Sequence, residues 1–275
     1  MDILVCIKRV PATGGKITLT PDERHIDTRF ASFTISPHEE CAVEEALRLT
    51  ERNGGTVTVL TLGPEVAADQ LRDAMAMGAH RAIHLVTDGE EWDPGQTARA
   101  IVDAIGAHPA SRRPTGPKPF QADGGGFDLL LFGNEAADSG DFQVGIRVAH
   151  ALGHPVVTGI KALEIENRPA SRFQATARCR REAAGGWEIF EIDLPAVITV
   201  KEGINLPRYP TVPGRLKAKR APIETMTLQS PANGIEMIRF KLPPAKGSKG
   251  EVLGHGAEAV PRLVEKLQER GVLTP

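Results

Sequence analysis

The residues with most to offer a ligand are Leu131-Phe-Gly-Asn-Glu-Ala-Ala-Asp-Ser-Gly-Asp-Phe-Gln-Val-Gly145. An apolar run, Phe127-Asp-Leu-Leu-Leu-Phe132, ends in Gly133; small, polar and acidic residues follow, and Gln143-Val-Gly145 opens a helical pattern that reaches Ala151. A strand, a glycine-bearing loop and a helix start in that order present unpaired backbone N–H groups and a positive helix end to an anion. The chemistry this suggests is the holding of a nucleotide phosphate. An ordinary strand-to-helix connection accounts for the same residues.

The side chains that could perform catalysis do not cluster. His25, His38, His80, His84, His108, His150, His154 and His255 show neither HxxxH nor HExxH spacing, and each reads as a surface or core histidine. There is no GxSxG elbow, Walker A loop or GxGxxG. Glu39-Glu40 and Glu44-Glu45 could be paired acids, but on a helix they most simply form a solvated face. Cys6, Cys41 and Cys179 are widely spaced within apolar patterns, as expected of buried thiols in a reducing cytoplasm rather than of a zinc site or disulfide framework. A net charge of −2 gives no general case for nucleic acid or an anionic membrane as partner. No apolar run approaches the roughly 20 residues that span a bilayer, and no targeting segment is visible. A binding or carrier protein is favoured over an enzyme acting alone.

The elements that must position the loop alternate between strand and helix. Asp2–Ile7 is a continuous apolar run, suited to a strand buried on both faces. Lys16–Thr20 alternates as a small strand would. Ser36-Pro37 looks like an N-cap followed by proline at the first helical position, opening a helix from about Pro37 to Arg52 that Asn53-Gly-Gly55 ends. Strands follow at Thr56–Leu62 and Arg81–Val86, and helices at Glu65–Met77 and Gly95–Ala107. Residues 109–126 hold four prolines and four glycines and read as a loop insertion, either a solvated excursion or a functional loop. After the strand at 127–132 come a helix at Gln143–Leu152 and a strand from Pro155. Ala175–Glu182 and Trp187–Asp193 flank Ala183-Ala-Gly-Gly186 as a β-hairpin, and Leu194–Val200 is another buried strand. The proline-rich stretch Asn205–Gly214 is expected to be irregular, and Arg215–Lys219 is a short basic stretch with room for one helical turn or more. Residues 225–250 offer little core material, and Val260–Arg270 is an amphipathic helix.

The expected architecture is an α/β fold: a doubly wound, mainly parallel sheet with an antiparallel hairpin and an extended C-terminal arm. Residues 1–224 form the nucleotide-binding domain; 225–275 form an arm that packs on another chain or hangs loosely. Ligands of such sheets sit at the strands' carboxyl ends, beside a switch in strand order. Four junctions could converge there: the loop after the first strand, Ser36-Pro37, Leu62-Gly63-Pro64 and Gly133–Gly145.

Several segments together resemble the β subunit of electron transfer flavoprotein. They are Ile3-Leu-Val-Cys-Ile-Lys-Arg-Val10, Ser36-Pro-His-Glu-Glu-Cys-Ala-Val-Glu-Glu-Ala-Leu-Arg-Leu49, Leu71-Arg-Asp-Ala-Met-Ala-Met-Gly-Ala-His-Arg-Ala82, Arg181-Glu-Ala-Ala-Gly-Gly-Trp-Glu188 with Leu194-Pro-Ala-Val-Ile-Thr199, Asn205-Leu-Pro-Arg-Tyr-Pro210 and Lys217-Ala-Lys219. Each motif is weak; their order and spacing, out to about residue 224, are specific. The resemblance implies a heterodimer with an α subunit that carries most of the FAD. It takes electrons from flavin dehydrogenases, such as acyl-CoA dehydrogenases, and passes them to a membrane quinone reductase or another acceptor. AMP is expected in this subunit, or a second FAD in an electron-bifurcating member. By position, the resemblance puts nucleotide contacts at Cys6, Ser36, Pro37, His38, Glu39, Leu62 and the run Glu135, Ala136, Ala137, Asp138, Ser139, Gly140, Asp141, Phe142, Gln143, Val144, Gly145 and Ile146. It puts contacts to the flavin-bearing domain at Thr13, where many members carry an aromatic, and at Glu182. It puts partner recognition at Arg208, Tyr209, Pro210, Thr211, Val212, Pro213, Gly214 and Arg215, with Val212 as the apolar anchor. The alternative of another class is a stand-alone adenine-nucleotide sensor of universal-stress type, which would need neither residues 205–219 nor the arm.

Overall fold

A computed structural model describes residues 1–12, 17–89, 91–107, 126–167, 175–229, 234–235, 237–243 and 250–273. Thr13 and all of the 109–126 insertion except Gly126 therefore lie outside the described residues. Two compact units are present, Met1–Ile238 and Arg239–Pro275.

The first unit is built on a nine-stranded sheet. Its strands are β1 (Asp2–Cys6), β4 (Thr56–Gly63), β5 (Arg81–Val86), β6 (Leu129–Gly133), β7 (Val156–Asn167), β8 (Ala175–Ala183), β9 (Gly186–Asp193), β10 (Ala196–Val200) and β11 (Glu224–Thr227). Their order is β11-β5-β4-β1-β6-β10-β7-β8-β9. All neighbours from β11 to β7 are parallel, and β7-β8-β9 is antiparallel. A two-stranded ribbon, β2 (Arg9–Pro11) with β3 (Phe33–Ile35), stands beside it.

The central strands carry apolar residues on both faces because both faces are covered. Ile3 and Val5 point into one core with helices α1 (Pro37–Asn53) and α2 (Ala68–Met77). Leu4 and Cys6 point into the other with α3 (Pro94–Ala107) and α4 (Val144–Leu152). This is the doubly wound arrangement. The chain runs from β1 to β4 and β5 on one side, then crosses to β6 on the other side of β1. The switch in direction opens a crevice at the carboxyl ends of β1 and β6.

Three expectations change. The stretch 205–214 is not irregular throughout: α5 (Val212–Arg220) starts at Val212, because Pro213 sits in the first turn, where no N–H is required of it. The sheet takes a further strand, β11, beyond the expected boundary at 224; its Glu-Thr-Met-Thr sequence is wholly exposed and carries no apolar alternation. The helix expected over Glu65–Met77 opens with a 3-10 turn, Glu65–Ala67, before α2. In the second unit, α6 (Val260–Glu269) matches the amphipathic helix, and within that unit none of its residues is buried.

Candidate functional site

The carboxyl end of β1 is the floor of the crevice. Ile7 donates its N–H to Leu60 O at 2.8 Å, and Thr61 Oγ1 donates to Ile7 O at 2.8 Å, tying β1 to β4. The first turn of α1 rests against the next residue: Lys8 N–H donates to the Glu39 carboxylate, and Ser36 N–H donates to Lys8 O at 3.3 Å. Ser36 holds the N-cap position, yet its hydroxyl makes no capping bond. It donates instead to Glu135 O at 3.4 Å, linking α1 to the β6–α4 loop.

Gly133 ends β6 where only glycine fits. A Cβ there would lie 2.6 Å from Glu39 Cγ and 3.2 Å from His38 Cβ. Beyond it, Gly140 N–H donates to Ala136 O at 2.9 Å and Ser139 N–H to Asp138 Oδ1 at 2.8 Å, folding the loop on itself. Gln143 holds the N-cap position of α4 without a capping bond, and the first turn of α4 carries no acid. The first N–H groups of α4 are thus open to an anion. Gly145 brings this turn onto the sheet, its missing Cβ only 3.0 Å from Thr199 Cγ2. Thr199 Oγ1 in turn donates to Asn134 Oδ1 at 2.9 Å and accepts from Gly159 N–H at 2.9 Å.

The charges are arranged about Lys8. Its Nζ lies 2.6 Å from Glu91 Oε1 and 2.9 Å from Asp138 Oδ2, clasping the β5–α3 and β6–α4 loops to the end of β1. Burial would lower its pKa, but the two carboxylates outweigh that and raise it. Burial pushes Glu39 up to about 8, against the Lys8 N–H and ammonium, so it is mostly uncharged at neutral pH. Burial raises the Cys6 thiol, and Glu39 adds to the effect. His38 is held below the usual histidine range by burial; its Nδ1 is buried without a hydrogen-bond partner, and its Nε2 lies 3.8 Å from Glu135 Oε1. A neutral acid, a neutral imidazole, two uncapped helix starts and one clasped cation suit the holding of a phosphate-bearing nucleotide. Among the described residues no group of three or more His, Cys, Asp or Glu could hold a metal ion.

The acids of α1 do not form the expected solvated face. Glu39, Glu44 and Glu45 are buried. Glu44 is covered by Arg208, whose Nε lies 2.8 Å from Glu44 Oε2, and Arg208 Nη1 reaches Glu51 Oε1 at 2.6 Å. Glu45 accepts from Asn205 Nδ2 at 2.9 Å. Past Arg208 the chain emerges: Tyr209 is 92% exposed and Val212 73%. Thr211 caps α5, its Oγ1 accepting from Gly214 N–H at 3.1 Å. Leu206 and Leu216 are exposed as well, so Val212 is not a single apolar tip but one of four large apolar side chains on this segment.

A family model described as the electron transfer flavoprotein domain matches residues 26–231. The electron transfer flavoprotein subunit beta of Bacillus subtilis (strain 168) is 32% identical over 275 residues, covering 98% of each chain. The subunit of the same name from Syntrophomonas wolfei is 35% identical over 249 residues, covering 90% of this chain and 88% of its own. The mitochondrial subunit beta of Oryza sativa subsp. japonica is 33% identical over 268 residues, covering 96% and 97%. The chain belongs to the electron transfer flavoprotein β-subunit family. Of the positions that the resemblance marked, Cys6, Ser36–Glu39 and Glu135–Ile146 meet around the crevice, and Leu62 lies at the same edge on β4. Glu182 is exposed near the turn of the β8–β9 hairpin, several strands away in the sheet. Sequence reading placed Gly133 and Asn134 in the ligand loop and Lys8 in the junction after the first strand without giving Lys8 a role, and it missed Thr199 as part of this electron transfer flavoprotein crevice. No helix among the described residues is long and apolar enough to cross a membrane.

Proposed function

We propose that this chain is the electron-carrier β subunit of a heterodimer with an α subunit that bears most of the FAD. The complex takes electrons from flavin dehydrogenases, acyl-CoA dehydrogenases among them, and delivers them to a quinone reductase or a similar acceptor. It works in the cytoplasm. The subunit itself holds AMP in the crevice between α1 and the β6–α4 loop. The observation that carries this reading is the meeting of two helix starts, α1 and α4, neither closed by a side-chain cap, at the switch in strand order. The phosphate is received by the N–H groups of Val144, Gly145 and Ile146 and by the Ser139-Gly140 turn. Ser36, His38 and Glu39 line the opposite wall, and Leu62 marks the β4 edge.

The FAD, when bound, supplies the one- and two-electron chemistry. This chain's residues orient and enclose: Glu39 and Ser36 hold the first turn of α1 on β1 and the loop, and Lys8 draws the Glu91 and Asp138 loops together. Docking of donors falls to the segment Arg208–Arg215, whose exposed Val212 sits on a capped helix start, with exposed Tyr209 just ahead of it, and so loses little freedom on binding.

The test is co-expression with the α subunit, purification of the complex and extraction of its ligands. One FAD and one AMP per heterodimer is the expected result. Two FAD and no AMP would make it the electron-bifurcating type. A complex without flavin, or no complex at all, would overturn the reading.

A further inference from the structure

The docking segment has an unusual anchor. One stripe of α1 (Cys41, Glu44, Glu45, Arg48 and Glu51, at helical spacing) meets the backbone of residues 205–208. Asn205 Nδ2 donates to Cys41 O at 3.0 Å, and Arg48 Nη2 donates to Leu206 O at 3.2 Å. Glu44 does most. Its Oε2 accepts both the Arg208 N–H, at 3.2 Å, and Arg208 Nε, at 2.8 Å. Its Oε1 accepts Arg208 Nη2 at 3.2 Å and Arg48 Nε at 2.6 Å. Residues 205–210 are neither helix nor strand, so these side chains supply partners that regular structure would otherwise provide.

We propose that Glu44 is a positioning residue for donor docking: from inside α1 it locks Arg208, and so fixes the backbone that presents Tyr209 and Val212. The inference rests on the docking role proposed for that segment and goes beyond it, since Glu44 is not itself part of the docking surface. Its side chain is 3% exposed and cannot touch a docked protein. Any effect it has on docking must therefore pass through Arg208 or through Arg48, which holds Leu206 O. The far end of the segment is held independently. Arg72 Nη1 donates to Ala218 O at 2.8 Å, and Gly214 packs against Ala76 O of α2. Loss of the Glu44 lock thus loosens residues 208–211, while Cys41 and Glu45 keep Asn205 and α5 stays in place. Despite burial, the Glu44 carboxyl is held below its usual range by hydrogen bonds from Arg208 and Arg48, so the lock stays charged at neutral pH. The opposite face of α1 keeps the helix in the core through Ala42, Val43, Ala46 and Leu49, which the lock does not involve.

The experiment uses the purified heterodimer and an acyl-CoA dehydrogenase, reduced by its substrate, as the donor probe. Glu44→Gln should raise KM for the donor about tenfold while kcat and flavin content stay at the parent values. Glu51→Gln, at the exposed end of the Arg208 fork, should raise it about twofold and serves if Glu44→Gln fails to assemble. In a Val212→Ala background the Glu44→Gln effect should fall well below tenfold, because one of the two side chains that Glu44 positions is gone. The chain contains one tyrosine, so 3-fluorotyrosine incorporated into this subunit alone reports on Tyr209. Its fluorine line should shift or broaden in Glu44→Gln, a change that global stability would not produce in a folded, flavin-loaded complex. Full multiplication of the Glu44 and Val212 effects, or an unmoved fluorine line, would overturn the positioning role and leave the docking role standing. An unchanged KM in Val212→Ala would bring down the docking role and this inference with it.

Discussion

Gly133→Ala is a sharp probe of the crevice. The added Cβ would sit 2.6 Å from Glu39 Cγ, 3.2 Å from His38 Cβ and 3.4 Å from Glu135 O. Carbon atoms in good contact are about 3.5–4.0 Å apart. The first turn of α1 must therefore retreat by roughly 1 Å, or Glu39 must leave the Lys8 N–H. Overpacking of this kind costs about 1–3 kcal/mol. Where widening of the crevice relieves it, nucleotide affinity falls by about 5–150-fold. Gly140→Ala is the control, since nothing lies within 4 Å of its Cβ and only its φ of +68° opposes a side chain. That backbone penalty is about 1–2 kcal/mol and leaves the walls where they are. The assay is calorimetric titration of AMP into nucleotide-stripped heterodimer, with urea unfolding alongside. Gly133→Ala should lose more affinity than Gly140→Ala, and adding Glu39→Ala, which removes the opposing Cγ, should restore part of the loss. Equal losses for the two glycines, or no relief from Glu39→Ala, would refute the steric reasoning.

Other outcomes follow from the same contacts. The folded protein holds Glu39 at about 8, above the value of 4.5 for a free carboxyl. Its contribution to stability is complete below the unfolded pKa and is lost as pH rises towards 8, with a slope approaching about 1.4 kcal/mol per pH unit. Urea midpoints between pH 5 and 8.5 should show that decline, and Glu39→Gln should flatten it; parallel curves for the two proteins would contradict the assignment. Burial raises the thiol pKa of Cys6 and Cys41 and pushes Cys179 up to about 12, so iodoacetamide at pH 8 should label none of the three in the native protein and all of them after unfolding. Rapid native labelling of any one would show its burial to be wrong. Lys8→Met removes the clasp on Glu91 and Asp138 and should speed AMP release several-fold in stopped-flow chase experiments while changing stability by about 1 kcal/mol or less, because partly exposed ion pairs contribute little.

The parts of the fold that the sequence made legible are those whose burial is symmetric. Ile3–Ile7, Leu129–Phe132 and Ala196–Val200 are continuous apolar runs because helices cover both faces of the sheet, and they stand where expected. Gly54, with φ of +72°, ends α1 as its position after Asn53 implied. What remained hidden depends on partners far along the chain. Glu44 looks like a solvated acid until Arg208, 164 residues later, arrives to cover it. Ser36 has the identity of a cap, but a carbonyl from the β6–α4 loop, 99 residues away, takes its hydroxyl. β11 has no apolar face to betray it, since it joins an edge of the sheet by backbone pairing to β5. In the crevice, the glycine-bearing loop and the α1 start were visible as local patterns. Lys8 and Thr199 matter through tertiary contacts that no spacing rule encodes.

The place of β11 in the sheet also sets an order of assembly. Helix α5, at the end of the proposed docking segment, lies in sequence between β10 and an edge strand that pairs with β5, a closure across 143 residues marked by the Arg81–Glu224 ion pair. The hydrogen bonds and ion pairs described for the crevice, by contrast, all fall before residue 200. During synthesis the N-terminal part of a chain emerges first. The residues of the crevice walls are therefore made before those of α5 and β11. Truncation after residue 200 would thus remove the whole proposed docking segment while sparing the residues whose contacts build the proposed nucleotide crevice.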